Sequence, residues 1–499
     1  MANGSFRVIV VGGGPVGLTM ANMLAKAGIE FVVLESRPAV AEDKGASLVL
    51  GPQSMRVLAQ IGILDSLKRI GMEVISPRVN SARDGHLYKL LPGRDVSIST
   101  HGCAAYMFNR AHLVRAIYDG LSESEKSWVL TNKKVTGIST DDSGVSVLCA
   151  DGTKYDGSVI IGADGVHSVV RRRMRELALK ASPTIDIDDE KPFISEYKTA
   201  WFSFPLQGDE KGGPPGRAWW CHEKDYSAQY LLGVDRAWAF IYERLPAPTR
   251  ESPRYTEADT IAFVEKRGDL FLCDNLQVKD VFPQRYHGGM TILQEGVLKR
   301  WTWGRIVLVG DAAHKFTSNQ GLGYQDGLHD AIILANQLYH VLNTSSENGE
   351  TSKIGDKKDP GLEALSGAFE RYQNARIKGA QSDCDFSATT TRLSAWRNNF
   401  YWFFDWWARP YFPHWLDVWM GNYLFLERVS HGPVLDYVEG EEPFPSGSVP
   451  WKYPIPNRNR PTITKKVDHS PWVPILKAPS FFGLLVAVSV AVSGRYKVY

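Results

Sequence analysis

The chain has 499 residues, 43% of them hydrophobic, enough to bury a large core and to build more than one domain. A formal net charge of +2 excludes the basic surplus of a nucleic-acid binder and gives no acidic partner a foothold. The five cysteines, Cys103, Cys149, Cys221, Cys273 and Cys384, are scattered with no CxxC pair, which excludes a disulfide framework and a zinc pattern and makes a reducing, cytosol-facing setting the expectation.

The first predicted strand, from Phe6 through the apolar run Val8–Val11, leaves no room for a signal peptide ahead of it. It feeds Gly12-Gly13-Gly14-Pro15-Val16-Gly17, then an apolar small-residue helix, then a second apolar strand ending at Glu35. In such a unit the glycines allow a tight turn, a close approach of phosphate to backbone, and close packing of helix on sheet. The helix N-terminus offers free N–H groups to the phosphates. Glu35, eighteen residues after Gly17, stands where a carboxylate can accept the hydroxyls of an adenosine ribose. An ordinary strand–turn–helix would leave that spacing to chance, so a dinucleotide site is expected here.

Lys44-Gly45-Ala46-Ser47-Leu48-Val49-Leu50 follows, either a turn suited to backbone contact with a ligand or a plain strand entry, and then an amphipathic run, Gln53–Leu64. Residues 73–105 read as short strands and turns. Asn109–Ile117 carries apolar residues at helical spacing, with Arg110 off the apolar stripe, where a solvated arginine is the common case. Residues 127–162 read as a β-meander turning at Asp142-Ser143-Gly144 and Asp151-Gly152, and its last strand delivers Gly162-Ala163-Asp164-Gly165 into a helix through Ser168 and Arg171. Residues 180–300 hold aromatic-rich strands that predict an antiparallel, substrate-covering sheet, with Tyr226 and Tyr230 as core or substrate-touching rings. The run Arg305–Val309 is a buried strand ending at Gly310-Asp311, with Gly321-Leu322-Gly323-Tyr324 and a long helix, Asp326–Leu342, after it. Residues 343–360 read as an exposed loop and 361–395 as helix.

The remainder is different. Between Trp396 and Arg428, fourteen of 33 residues are Phe, Tyr or Trp. Ala478–Gly494 is seventeen residues without a charge, flanked by Lys477 and by Arg495 and Lys497. Both features suit a bilayer interface or a short span, with a buried terminal helix as the other reading.

The three motifs Gly12–Gly17, Gly162–Gly165 with Ser168 and Arg171, and Gly310-Asp311 resemble, in order and spacing, the single-component FAD-dependent aromatic hydroxylases, the group A flavoprotein monooxygenases, over residues 6 to about 395. The stretches beginning at Glu35, Lys44, Glu295 and Gly310 are similar to the fungal branch that oxygenates meroterpenoids and indole diterpenes. That resemblance implies an α/β fold: a Rossmann-type FAD-binding domain over 1–180 and 300–345, an inserted antiparallel-sheet substrate domain over 181–299, a helical segment over 346–395 and a hydrophobic, membrane-associated tail over 396–499. It implies that Gly12, Gly14 and Gly17 form the pyrophosphate turn and Glu35 holds the ribose. By the same carry-over Val49 makes a backbone contact, Arg110 contacts the nucleotide moiety, Asp311 binds the ribityl chain, and Gly321 to Tyr324 runs beside the isoalloxazine. Asp164 and Arg171 take a mainly structural part. Ser318 stands where relatives often have proline, and Gln325 where they have asparagine.

With one glycine fingerprint and no second, NADPH is expected as a transient co-substrate and O2 as the oxidant. No residue is singled out as catalytic, no metal site is expected, and His314 reads as a packing or hydrogen-bonding residue rather than a base. The expected reaction is epoxidation of the prenyl chain of a lipophilic secondary-metabolite intermediate, at the endoplasmic reticulum membrane with the catalytic domain facing the cytosol. The alternatives are an aromatic or polyketide hydroxylase, or an oxygen-incompetent flavin-binding pathway partner.

Overall fold

A computed structural model describes residues 5–43, 46–344, 357–413, 416 and 427–457. Met1–Pro456 packs as one compact unit. The apolar stretch 478–494 and all four Phe, Tyr or Trp rings between 414 and 426 lie outside the described residues, as do Lys44, Gly45 and most of the expected loop 343–360.

The first strand, β1 (Arg7–Val11), is buried from Val8 onward, as a β-branched run between two covered faces must be. It pairs in parallel with β2 (Glu30–Leu34) on one side and with the strand Val159–Gly162 on the other. The full order is Thr302–Trp303, Ile306–Leu308, Val159–Gly162, β1, β2, Val129–Leu130. All but the first of these strands run in parallel. Parallel strands release their chain at the same edge. The turns after β1, β2, Val159–Gly162 and Ile306–Leu308 therefore gather Gly12–Gly17, Glu35, Asp164 and Asp311 along one rim, although some 300 residues separate the first from the last. Helix α1 (Pro15–Lys26) packs on this sheet and on the long helix Leu322–Thr344, which in turn packs on Leu362–Ser394.

The predicted meander forms a three-stranded sheet from Val135–Asp141, Gly144–Cys149 and Lys154–Gly157. Residues 73–105 hold the predicted short strands and also a helix, Arg94–His101, whose Ser and Thr content hid it.

The second large sheet has eight strands in the order His314–Lys315, His287–Val297, Ile194–Phe204, Ala237–Thr249, Tyr226–Leu232, Ala218–Glu223, Arg78–Ser81, Leu87–Leu90. It reaches beyond the span 181–299 at both edges. The outer pair comes from residues 78–90, and Arg78–Ser81 joins in parallel to Ala218–Glu223, a non-local pairing that no local pattern announces. One face of this sheet carries Phe202, Phe204, Trp219, Tyr230 and Ile241 under the helix Glu257–Lys266. The other carries Tyr197, Trp201, Leu231, Trp238, Phe240, Tyr242 and Leu293, packed against Ala46, Val49 and Met107 of the first half of the chain.

After Leu362–Ser394 the chain makes a short helix, Asn399–Trp402, widens into a π-helical turn, Phe403–Ala408, and ends in a tight turn, Arg409–Tyr411. Asp405 is fully buried there and accepts from Tyr88 Oη (2.7 Å), Trp396 Nε1 (2.9 Å) and Arg409 Nη1 (2.9 Å), and pairs with His222 Nδ1 (2.7 Å). Among the described residues no helix is long and apolar enough to cross a membrane.

Candidate active site

The turn after β1 sorts its glycines by purpose. Gly12 has φ +109°, and a methyl added there would lie 2.5 Å from the Ala163 carbonyl oxygen. A methyl on Gly17 would lie 1.9 Å from the Gly12 carbonyl oxygen. A methyl on Gly14 would meet nothing within 4 Å, and its φ of −75° suits any residue. The fold requires the first two. What Gly14 leaves is open space at the N-terminus of α1, beside N–H groups that no helical carbonyl satisfies. That cradle fits a pyrophosphate.

Glu35 directly follows β2 and is buried. Gly13 N–H donates to its Oε2 (2.7 Å), and Arg37 donates to Oε1 through its backbone N–H (2.8 Å) and Nε (2.9 Å). Burial pushes the Glu35 carboxyl up, but the Arg37 bonds and charge and the Gly13 amide outweigh it, so the group is held below its ordinary value and stays an anionic acceptor. Arg37 takes much of the carboxylate edge that ribose hydroxyls would use. Its side chain is 38% exposed.

Arg110 opens the helix Arg110–Asp119 just after the strand Tyr106–Asn109, where Asn109 Oδ1 caps it through Ala111 N–H (2.8 Å). Its backbone N–H donates to the Ala46 carbonyl (3.1 Å). The residue is half-buried. Burial and the nearby Arg37 lower its pKa, and Asp311 and Glu35 oppose them. A half-buried cation that feels the charges of both Glu35 and Asp311 departs from the fully solvated arginine that its place on the helix suggests.

Asp311 lies in the turn Gly310–Ala312 and is ion-paired with Lys315. A methyl on Gly323 would stand 3.7 Å from its carboxylate, so the start of the helix Leu322–Thr344 adjoins it. A methyl on Gly321 would lie 3.8 Å from Val49, on β3 (Ser47–Leu50). Tyr324 is placed differently from a side chain that lines a cofactor. Its ring is buried, and its hydroxyl meets Thr19 of α1 (2.8 Å). Gln325 Oε1 accepts from Gly51 N–H (3.0 Å) and Gln53 Nε2 (2.8 Å), tying this helix start to the next.

The remaining motif residues are structural. Asp164 accepts from Val169 N–H (2.7 Å) and Val170 N–H (3.1 Å) and caps the helix Val169–Ala181. Arg171 bridges the Val166 (2.7 Å) and Ala312 (3.1 Å) carbonyls, joining the second motif to the third. His314 Nε2 pairs with buried Asp330 (2.6 Å), which also accepts from Gly310 N–H (2.8 Å) and Arg376 Nε (2.8 Å). Burial works against the His314 imidazolium, but the Asp330 charge and bond win and its pKa is raised. The ring is buried, packed against Trp301 and Phe316. Among the described residues no three His, Cys, Asp or Glu side chains converge as a metal cage.

Of the two readings for Tyr226 and Tyr230, core or substrate-touching, the structure places both on the face of the large sheet away from the rim. Tyr230 stacks between Trp219 (5.2 Å) and Phe204 (5.9 Å) on the far face, and Tyr226 lies under Arg267 (4.5 Å). With a side-chain period of two, it is Gln229 and Leu231, with Trp238, Phe240 and Tyr242 opposite, that turn toward the rim. The alternation of these strands groups them on one face, but what packs on that face decides which way it turns.

The comparisons agree with this geometry. The FAD binding domain family matches residues 5–198 and 289–351. The FAD-dependent monooxygenase verC1 of Penicillium polonicum is 31% identical over 79% of this chain, which spans 48% of that protein. The FAD-dependent monooxygenase srdH of Neurospora crassa is 31% identical over 90% of this chain and 98% of its own length. Among solved structures, a single-residue variant of Klebsiella pneumoniae HpxO, complexed with FAD, has the same fold, with a TM-score of 0.63 and 18% identity over 84% of this chain and 98% of that one. With its pyrophosphate cradle, its buried acid at the end of β2 and these matches, the chain belongs to the FAD binding domain family and is an FAD-dependent monooxygenase.

Proposed function

We propose that this enzyme uses NADPH and O2 to epoxidise the prenyl chain of a lipophilic secondary-metabolite intermediate. The observation that carries the reading is the sheet face turned toward the cofactor rim. Trp201, Leu231, Trp238, Phe240 and Leu293 make it an apolar, aromatic surface fit to bury an isoprenoid chain and to keep water from the reacting carbons. FAD, when bound, supplies hydride acceptance and oxygen activation. Gly12, Gly14 and Gly17 would cradle its pyrophosphate, Glu35 its ribose and Arg110 its nucleotide charge. Val49, Asp311 and the backbone at Tyr324 would line the path of the rest. The exposed rings of residues 400–411 support a place at the membrane surface, on the cytosolic side of the endoplasmic reticulum.

The test is anaerobic addition of NADPH to FAD-loaded enzyme, with and without a farnesylated phenol, followed through the flavin absorbance. Faster bleaching with the probe is expected. On admitting air, the product gains one oxygen and opens to a diol in mild acid. A product that is stable to acid would instead mark a ring hydroxylase, and no bleaching across a prenyl panel would overturn the reading.

A further inference from the structure

The turn Thr317–Gly321 lies between the cofactor rim and the sheet face. Gly321 sits against Val49, and the helix that the turn opens adjoins Asp311. Its backbone would accept the more rigid residue. Thr317 has φ −62° and ψ 148°, the extended geometry that precedes proline, and Ser318 is the first residue of a tight helical turn, where the N–H has no partner within the turn. The chain has a serine there instead, and its hydroxyl is engaged. Ser318 Oγ donates to Tyr242 Oη (3.3 Å), Tyr242 Oη donates to Gln229 Oε1 (2.9 Å), and Gln229 Nε2 donates to the Asn319 carbonyl (2.7 Å). The three bonds close a ring that starts and ends on adjacent residues of the turn. From the other side, Thr391 Oγ1 reaches Asn319 Oδ1 (3.0 Å) and Thr317 Oγ1 (2.7 Å), anchoring the turn to the helix Leu362–Ser394.

A buried amide and a buried phenol on an apolar face cost desolvation that leucine and phenylalanine would not. Both groups instead spend their bonds on this one turn. We propose that Tyr242 and Gln229 are positioning residues, which fix the turn Thr317–Gly321 against the substrate face and thereby limit wasteful oxidation of the reduced cofactor. The inference rests on the reading that this turn borders the flavin. Trp238 and Phe240 lie on the same strand that carries Tyr242, so occupancy of the face by substrate and the position of the turn would share one support.

The experiment uses enzyme loaded with FAD and no added substrate. Four proteins are compared: wild type, Tyr242→Phe, Ser318→Ala, and the double variant Tyr242→Phe with Ser318→Pro. Two readouts are taken. One is hydrogen–deuterium exchange of peptides covering 315–325. The other is hydrogen peroxide released as NADPH, a proton and O2 become NADP+ and H2O2. Each single variant should exchange about 5-fold faster in that peptide, the shift expected from losing one neutral hydrogen bond. Each should also release peroxide faster by a similar factor. The double variant should return toward wild type in both, because a proline ring holds the turn without Tyr242. Single variants unchanged in either readout, or a double variant no better than Tyr242→Phe, overturns the proposal. Failure of the wild type to bleach with NADPH across the prenyl panel would instead overturn the functional reading, and the exchange result would stand apart from it.

Discussion

At the residue scale, the glycine turn separates what the fold needs from what the ligand needs. A Gly17→Ala change drives a methyl into the Gly12 carbonyl, at 1.9 Å, and must disturb the packing of α1 on β1. Gly14→Ala meets no atom within 4 Å. We predict that Gly14→Ala leaves the melting temperature of the apoprotein unchanged, a shift within about 0.5 kcal/mol as for neutral surface positions, while FAD affinity falls at least tenfold. Thermal unfolding of apoprotein and flavin titration check the two halves; an unstable apoprotein or unaltered affinity would contradict the assignment of Gly14 to the phosphate. The same scale shows where chain position misleads. Arg110 and Tyr324 are both near the rim in sequence logic, yet one is a half-buried cation that feels the charges of Asp311 and Glu35 and the other a core ring bonded to Thr19. Side-chain direction, not position in a motif, separates them.

At the scale of elements, two buried polar knots join parts that are remote in the chain. The first is His314–Asp330–Arg376–Asp326, which ties the third motif to both long helices; Arg376 reaches Asp326 at 2.7 Å. The folded-state pKa of His314 lies above its ordinary 6.5. Its contribution to stability is therefore complete below that value and is lost as pH rises through the raised one. Chemical denaturation followed from pH 6 upward should show stability falling, and His314→Asn should flatten the slope. The second knot is Asp405 with His222, Tyr88, Trp396 and Arg409. Burial pushes the Asp405 carboxyl up, but His222, Arg409 and Trp396 together hold it well below the usual range. Asp405→Ala leaves Arg409 and three further polar groups without their acceptor, and a loss of about 3–5 kcal/mol in unfolding free energy is expected. A urea midpoint equal to that of wild type would show that the segment 396–411 is not docked through this residue.

On the scale of the whole molecule, one consequence of the Asp405 knot faces outward. With Asp405 buried, the opposite side of the same segment leaves Phe403 57%, Trp407 50% and Tyr411 79% exposed. Such rings favour the headgroup region of a bilayer. If the membrane proposal holds, the pair of changes Phe403→Ser and Trp407→Ser should weaken sedimentation with phosphatidylcholine vesicles about tenfold or more, at roughly 1.5–3 kcal/mol for each apolar side chain withdrawn. NADPH-driven flavin reduction in solution should be unaltered. Equal vesicle binding by the variant would remove this face from the interface. The amino-acid sequence by itself determined the parallel sheet, its glycine turn and the acid after β2, because short-range spacing and hydrophobic period encode strand, turn and helix directly. It also determined the long helices after Gly321 and Gly361 and the presence of a second, antiparallel sheet. Only the tertiary structure decided which strands from residues 78–90 complete that sheet, which face of it meets the rim, and that Tyr242 and Gln229 rather than Tyr226 and Tyr230 stand there. The physical reason is that a strand shows its two faces with a period of two, and the pattern alone does not say which face is turned inward when both are apolar. That choice is made by what packs on each side, and here the partners come from hundreds of residues away.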